Sequence, residues 1–284
     1  MNASKKIVLS IILCFSIFSI FAQNAETENN QKFNIWGSGT TFKLDPLTDG
    51  ILLGTTGTLA ATMFITSNLV KVGRTSYDGT SFDKSDVPGL DRLFMNSYSK
   101  GLDITATILE VTALVSPIVF LSVSNEEWLT IGVMYAETIF MAYGLKELGK
   151  MLVHRTRPYM YYSDYPSKEA DNGDWQCSFP SGHTTMTFAS AAFTSYVFFK
   201  YFPDSPWRWA VLGGSYTIAV TTACLRMASG NHFFTDVLTG MVIGTASGLL
   251  VPWLHTRRLN SPDSNQKGFS ADISPLGFNL KVSF

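Results

Sequence analysis

Six apolar stretches limit what this chain can fold into: residues 51–70, 102–123, 128–148, 184–199, 209–225 and 237–254. A helix needs about 20 mostly apolar residues to cross the hydrocarbon core of a bilayer. Most of the six approach that length, and 184–199 is the shortest. None alternates apolar and polar residues as a strand would. Gly, Ala, Ser and Thr are frequent in them, as where membrane helices approach closely. The expected fold class is therefore all-α, a membrane bundle of about six helices. Charged residues make up 15% of the chain, against about 25% in soluble domains. A formal net charge of −1 leaves no basic field for a nucleic-acid partner. Asp103, Glu110 and Glu137 fall inside apolar stretches. A carboxylate at mid-bilayer costs about 2.5–3.5 kcal/mol even on the mildest scale, so these three should face the interior. There they would pair with polar groups or lie beneath a functional site.

Residues 1–23 read as a secretory leader: Lys5 and Lys6, an apolar run over 7–21, and a cut near Gln23. An uncleaved anchor is the other reading. A polar segment follows over 24–47, then the helical domain over 48–258 and a polar tail over 259–284, whose last residues alternate like a short strand. Export opens the option of a Cys177–Cys224 disulfide beside that of two unpaired thiols.

Three short segments carry the chemistry. The first is Lys150 to Pro158. Lys150 and Arg157 are seven apart with His154 between them. On a helix all three share one face, and two fixed cations make a grip for a phosphate. The second is Phe179-Pro180-Ser181-Gly182-His183, a loop opening a helix. Ser181 is a suitable cap, Gly182 lets a ligand approach the backbone, and the helix N-terminus favours an anion. His183 would stand beside that anion as a proton donor. The third runs from Arg226 to Asp236. His232 and Asp236, four apart at a helix start, suit a nucleophilic imidazole held in one tautomer by a carboxylate. If the last three helices each cross once, all three segments meet at one end of the bundle. Two of the chain's four histidines lie in the second and third segments.

Lys-x6-Arg-Pro, Pro-Ser-Gly-His and Arg-x5-His-x3-Asp, in that order, resemble the three-part signature of the type-2 phosphatidic acid phosphatase superfamily, which includes class A acid phosphatases and vanadium haloperoxidases. The resemblance implies a phosphatase working through a phosphohistidine, without metal or other cofactor. His232 would be the nucleophile, His183 the acid that protonates the leaving oxygen, and Asp236 the group that orients His232. Lys150, Arg157, Ser181, Gly182 and Arg226 would bind the phosphate. Leu225 stands where the family usually has Ser, which removes one hydrogen bond. The implied substrate is a phosphorylated membrane lipid: lipid A, undecaprenyl pyrophosphate, phosphatidylglycerol phosphate or phosphatidic acid. The implied location is a bacterial inner membrane, with the site facing the periplasm. Lys200, Arg208, Arg257 and Arg258, opposite the site, agree with that side, whereas Lys71, Arg74, Lys84 and Arg92 oppose it. The resemblance says nothing of oligomeric state. A soluble periplasmic acid phosphatase, a haloperoxidase and a non-catalytic membrane protein are the competing expectations.

Overall fold

A computed structural model describes residues 38–256, 268–274 and 277–283. The expected leader over 1–23 and most of the polar segment over 24–47 lie outside the described residues, as do parts of the tail. Among the described residues are six long helices: α1 (Pro46–Phe64), α2 (Lys100–Leu114), α3 (Asn125–Val153), α4 (Gly182–Tyr201), α5 (Trp207–Ala228) and α6 (Phe234–His255). A π-helical turn, Ile65–Val70, extends α1, and a 3-10 segment, Ser116–Ser122, follows α2. In the tail, Gly268–Ser274 (β1) pairs antiparallel with Gly277–Ser283 (β2), Gly268 lying opposite Ser283. The alternation read in the last residues is thus one arm of a hairpin appended to the helical fold.

The helices run alternately up and down. Asp49 near the start of α1 meets His255 at the end of α6, whereas Asp103 near the start of α2 meets Arg226 at the end of α5. One end of the bundle therefore gathers the starts of α2, α4 and α6 with the ends of α3 and α5. The three signature segments share that end.

α4 runs through the middle and packs on α2, α3, α5 and α6. That position explains its composition. It buries Thr184, Thr185, Thr187, Ser190 and Thr194, which bond backbone carbonyls one turn back or a neighbouring hydroxyl and so need no lipid-facing apolar surface. α1, α2, α3, α5 and α6 lie outside α4, each with exposed apolar residues, Ile51, Ile104, Leu145, Val220 and Val242 among them. The segments 46–70, 100–122, 125–161 and 234–255 are long and apolar enough to cross a membrane. Their exposed residues are lipid-like in character: Ile51, Ile104, Ile108, Ile118, Val242 and Leu249. Trp207, Trp209 and Trp253 are exposed at the end opposite the signature segments, where amphipathic rings suit a membrane interface.

α6 approaches α4 along Gly240, Gly244 and Gly248, one residue per turn. A Cβ at Gly240 would stand 2.7 Å from the Ser181 carbonyl, at Gly244 2.3 Å from that of Thr185, and at Gly248 2.4 Å from that of Ala189. This backbone contact places the start of α6, and so His232, against the start of α4. Gly244→Ala should lower the unfolding midpoint in detergent, at a cost of about 1–3 kcal/mol for overpacking. Gly214→Ala, on open helix surface, should leave the midpoint unchanged or raise it; equal midpoints for the two variants would disprove the close contact.

Candidate active site

Arg157 reaches the site by a different route from the one its spacing suggested. α3 ends at Val153, and His154 turns left-handed at φ 46°. Arg157 is extended, φ −74° and ψ 149°, as a residue before proline prefers. Lys150 and Arg157 therefore do not share a helical face, and Pro158 opens a new 3-10 turn instead of ending α3. His154 leaves the site and lies against Gly73. Two backbone bonds, from Arg157 N–H to the Trp175 carbonyl (2.8 Å) and from Tyr159 N–H to the Gly230 carbonyl (3.0 Å), hold the extended segment against its neighbours.

Four cations gather here, one of them missed in the sequence. Lys146, one turn before Lys150, shares its face. A Cβ at Gly182 would lie 3.5 Å from the Nζ of each lysine, so both ammonium groups stand at the start of α4. Ser181 holds the N-cap position, but its hydroxyl is turned to Thr184 Oγ1 (2.9 Å) and caps no backbone group. The first internal bond of α4 is from Thr185 N–H to the Ser181 carbonyl. The N–H groups of Gly182, His183 and Thr184 precede it, which is the arrangement that suits an anion.

In the protein alone, carboxylates answer these cations. Glu147 accepts from Lys146 Nζ at 2.5 Å and from Lys150 Nζ at 3.2 Å. Asp174 accepts from Arg157 at 2.8 Å, and Asp103 from Arg226. Burial alone would raise the Asp174 pKa, yet Arg157, Lys150 and Arg74 hold it below the usual carboxylate value. Asp103 and Glu110 thus pair with polar groups, the first outcome expected for interior charges, and do so beside the candidate site. Glu110 lies 3.3 Å from His183 Nε2, and Thr107 Oγ1 lies 3.0 Å from the same atom. Glu137 is elsewhere, at the opposite end of the bundle.

His232 is 2% exposed. Its Nδ1 lies 2.6 Å from the Ser178 carbonyl, which only accepts, so Nδ1 carries the proton. Its Nε2 lies 3.4 Å from Arg157 Nη1, which only donates, so Nε2 presents a lone pair. Burial, then Arg157, Arg226 and Lys150, holds this imidazole well below the ordinary histidine value of 6.5.

Asp236 does not bond His232 directly: Oδ2 lies 3.9 Å from Nδ1. It accepts instead from Ser178 Oγ (2.6 Å), Phe233 N–H (2.8 Å) and Arg155 (2.5 Å). Asp236 thus fixes the residue that fixes His232. Arg155 bridges on to Asp91 (2.6 Å), which also accepts from the Thr235 backbone (2.9 Å). Burial would raise the Asp91 pKa, but Arg155 and Thr235 bring it below the usual value. Nothing in the motif spacing pointed to Arg155, Asp91 or Ser178. Cys177 is buried, Cys224 is exposed, and both are free thiols, so the optional disulfide is not formed.

Residues 131–260 match the family model described as the PAP2 superfamily, a span that holds all three signature segments. Over these residues the chain is similar to the PAP2 superfamily. A 111-residue stretch is 32% identical to the lipid A 1-phosphatase of Porphyromonas gingivalis, covering 39% of this chain and 21% of that protein. A 127-residue stretch is 32% identical to the bacitracin transport permease protein BcrC of Bacillus licheniformis, covering 43% of this chain and 54% of that protein. The chain thus spans about half or less of the length of these curated relatives. Among solved structures, the PAP2-type phosphatidylglycerolphosphate phosphatase of Bacillus subtilis aligns with a TM-score of 0.41 and 21% identity, over 73% of this chain and 95% of that one. Aquifex aeolicus LpxE aligns with a TM-score of 0.39 and 22% identity, over 57% and 92%.

Histidine ¹⁵N NMR in detergent, assigned through His232→Ala, should show His232 as the neutral Nδ1–H tautomer below pH 6.5, where an exposed imidazole is already largely protonated. An imidazolium signal at pH 6.5 would contradict the geometry.

Proposed function

We propose that this protein is a lipid phosphatase that needs no metal at its reacting centre and works through a phosphohistidine on His232. The observation that carries the reading is a buried, neutral imidazole whose Nε2 lone pair faces a cradle of cations at a helix N-terminus. In the proposed reaction the substrate phosphoryl group displaces the carboxylates from Arg157, Arg226, Lys146 and Lys150, and takes N–H bonds from the start of α4. Preorganised donors of this kind stabilise the charge of a transferring phosphoryl group. Nε2 attacks phosphorus, the P–O bond to the lipid breaks, and His183, which takes up a proton beside Glu110 once the bound phosphate offsets the burial and cations that keep it neutral in the protein alone, gives that proton to the leaving oxygen. The Nδ1–H bond to Ser178 stabilises the positive charge on the phosphorylated ring. Water, losing a proton to His183, then cleaves the P–N bond and releases phosphate.

A lipid substrate fits the apolar outer helices. It also fits the aromatic cluster of Tyr77, Phe82, Tyr165 and Trp175 beside the site loop. The similarity to a lipid A 1-phosphatase makes lipid A one member of the panel to test. Undecaprenyl pyrophosphate, phosphatidylglycerol phosphate and phosphatidic acid are the others. We place the protein in the bacterial inner membrane with the site on the periplasmic side. An impermeant thiol reagent should then label a cysteine introduced at Asp171, in the site-end loop, in intact cells. Labelling only after lysis refutes that side.

Detergent-purified protein should release phosphate from at least one of these lipids with EDTA present. His232→Ala should reduce the rate at least about 1,000-fold, as loss of a covalent nucleophile does. Survival of activity in His232→Ala overturns the mechanism, as does its loss in EDTA while the protein remains folded. Arg155→Ala should lower kcat by about 10–100-fold while KM changes little, the size typical of a group that orients the reacting residue. A KM effect alone would make Arg155 a binding residue instead.

A further inference from the structure

The end of the bundle opposite the phosphate cradle holds a second cluster of titratable side chains that the proposed reaction does not use. Asp49 of α1, Glu137 of α3 and His255 of α6 are 1%, 0% and 3% exposed. One donor atom from each lies within 4.8 Å of the other two. His255 Nε2 is 2.9 Å from Asp49 Oδ1 and 3.4 Å from Glu137 Oε2. Phe42 and Leu44, both buried, belong to the segment that crosses this end, where Lys43 N–H bonds the His255 carbonyl.

Two features of the cluster point to a ligand. The first is that neither oxygen of the Glu137 carboxylate has a hydrogen-bond partner, although the side chain is fully buried and directed at His255. Buried carboxylates are normally paired, hydrogen-bonded or bound to metal. The second is that His255 Nδ1 lies 2.8 Å from the Val251 carbonyl. That acceptor puts the proton on Nδ1 and turns Nε2 toward the two carboxylates. Metal-bound histidines almost always donate their other N–H to such a group. Asp49 is likewise steadied from behind, since its Oδ2 accepts from the Asp45 N–H at 2.5 Å.

We propose that Asp49, Glu137 and His255 bind one divalent transition-metal ion of the zinc class, which ties α1, α3 and α6 together. Two carboxylates and a neutral imidazole carry two negative charges, and a divalent cation cancels them without leaving a buried charge unpaired. A tetrahedral ion with bonds of about 2.0–2.1 Å holds its donors about 3.4 Å apart, and His255 Nε2 already stands 2.9 Å from Asp49 and 3.4 Å from Glu137. The free second oxygen of Glu137 can fill the fourth position. An imidazole among the donors favours zinc, iron or nickel over magnesium and calcium. The site is separate from the phosphate cradle and independent of the phosphatase reading.

The test uses the full chain in detergent, with any affinity tag removed, stripped by chelator and then equilibrated with Zn²⁺ or Mg²⁺. Elemental analysis after desalting should find one zinc per chain in the wild type and in His232→Ala, and none in Glu137→Gln or His255→Ala. Zinc at about a hundredfold above its dissociation constant should raise the wild-type unfolding midpoint by about 5–10 °C. Magnesium should not, and neither ion should shift Glu137→Gln. If the variants fail to fold, X-ray absorption at the zinc edge of the wild type decides: one nitrogen and two or three oxygen neighbours uphold the site. Absence of bound zinc, equal zinc in wild type and Glu137→Gln, or sulfur neighbours overturns it.

Discussion

Cations buried at the ends of apolar helices must be answered by negative charge, and that requirement organises the signature end of the bundle. Arg157 and Arg226 are 5% and 3% exposed, and Lys146 is 8% exposed. Left alone, charges so far from water would cost several kcal/mol each. Asp174, Asp103 and Glu147 meet that need in the protein by itself. Each carboxylate comes from a different element: the site loop, α2 and α3. The Asp103–Arg226 pair draws α2 to α5 by charge as well as by packing, and the grouped cations are ready for an anion.

The same logic orders the polar chain behind His232. A histidine in this field needs one nitrogen tied down, or the ring could rotate its lone pair away from the cradle. Ser178 supplies the tie, Asp236 holds Ser178, and Arg155 and Asp91 hold Asp236. Arg155 also lies over the Phe233 ring at 4.2 Å, so it is fixed on a second side. The chain joins the loop before α4, the start of α6 and the short helix Gly89–Leu93. Residues far apart in sequence thus set the aim of one imidazole.

What could be read in the sequence follows from which interactions are local. The six helices were legible because apolar length is a property of contiguous residues. So were the members of the cradle on helix ends, Lys150, Ser181, Gly182, His183, Arg226 and His232, because each motif carries its own helix boundary. Two inferences that rested on spacing failed. Lys150 and Arg157 were placed on one helix, but the residue before a proline avoids helical backbone, and α3 had already ended at His154. Asp236 was expected on His232 because the two are four apart, but both precede or open the first turn of α6, where helical spacing does not yet apply. Arg155, Asp91 and Ser178 were invisible for a different reason. Their roles exist only through partners 50 or more positions away, and no short pattern encodes those. Lys146 could have been found, since it precedes Lys150 by one turn on the same face.

The carboxylates in the cradle also bear on what the proposed reaction would accept. A ligand must replace Asp174 at Arg157, Asp103 at Arg226 and Glu147 at Lys146 and Lys150, so the more negative charge it carries the better it answers these cations. A phosphate monoester carries about −1.5 to −2 at neutral pH and three acceptor oxygens. A phosphodiester carries a single charge and two free oxygens, and it would leave one of the cations less well answered than before binding. In the proposed reaction terminal phosphates and diphosphates therefore come closer to the charge of the displaced carboxylates than the diester linkages of bulk phospholipids do.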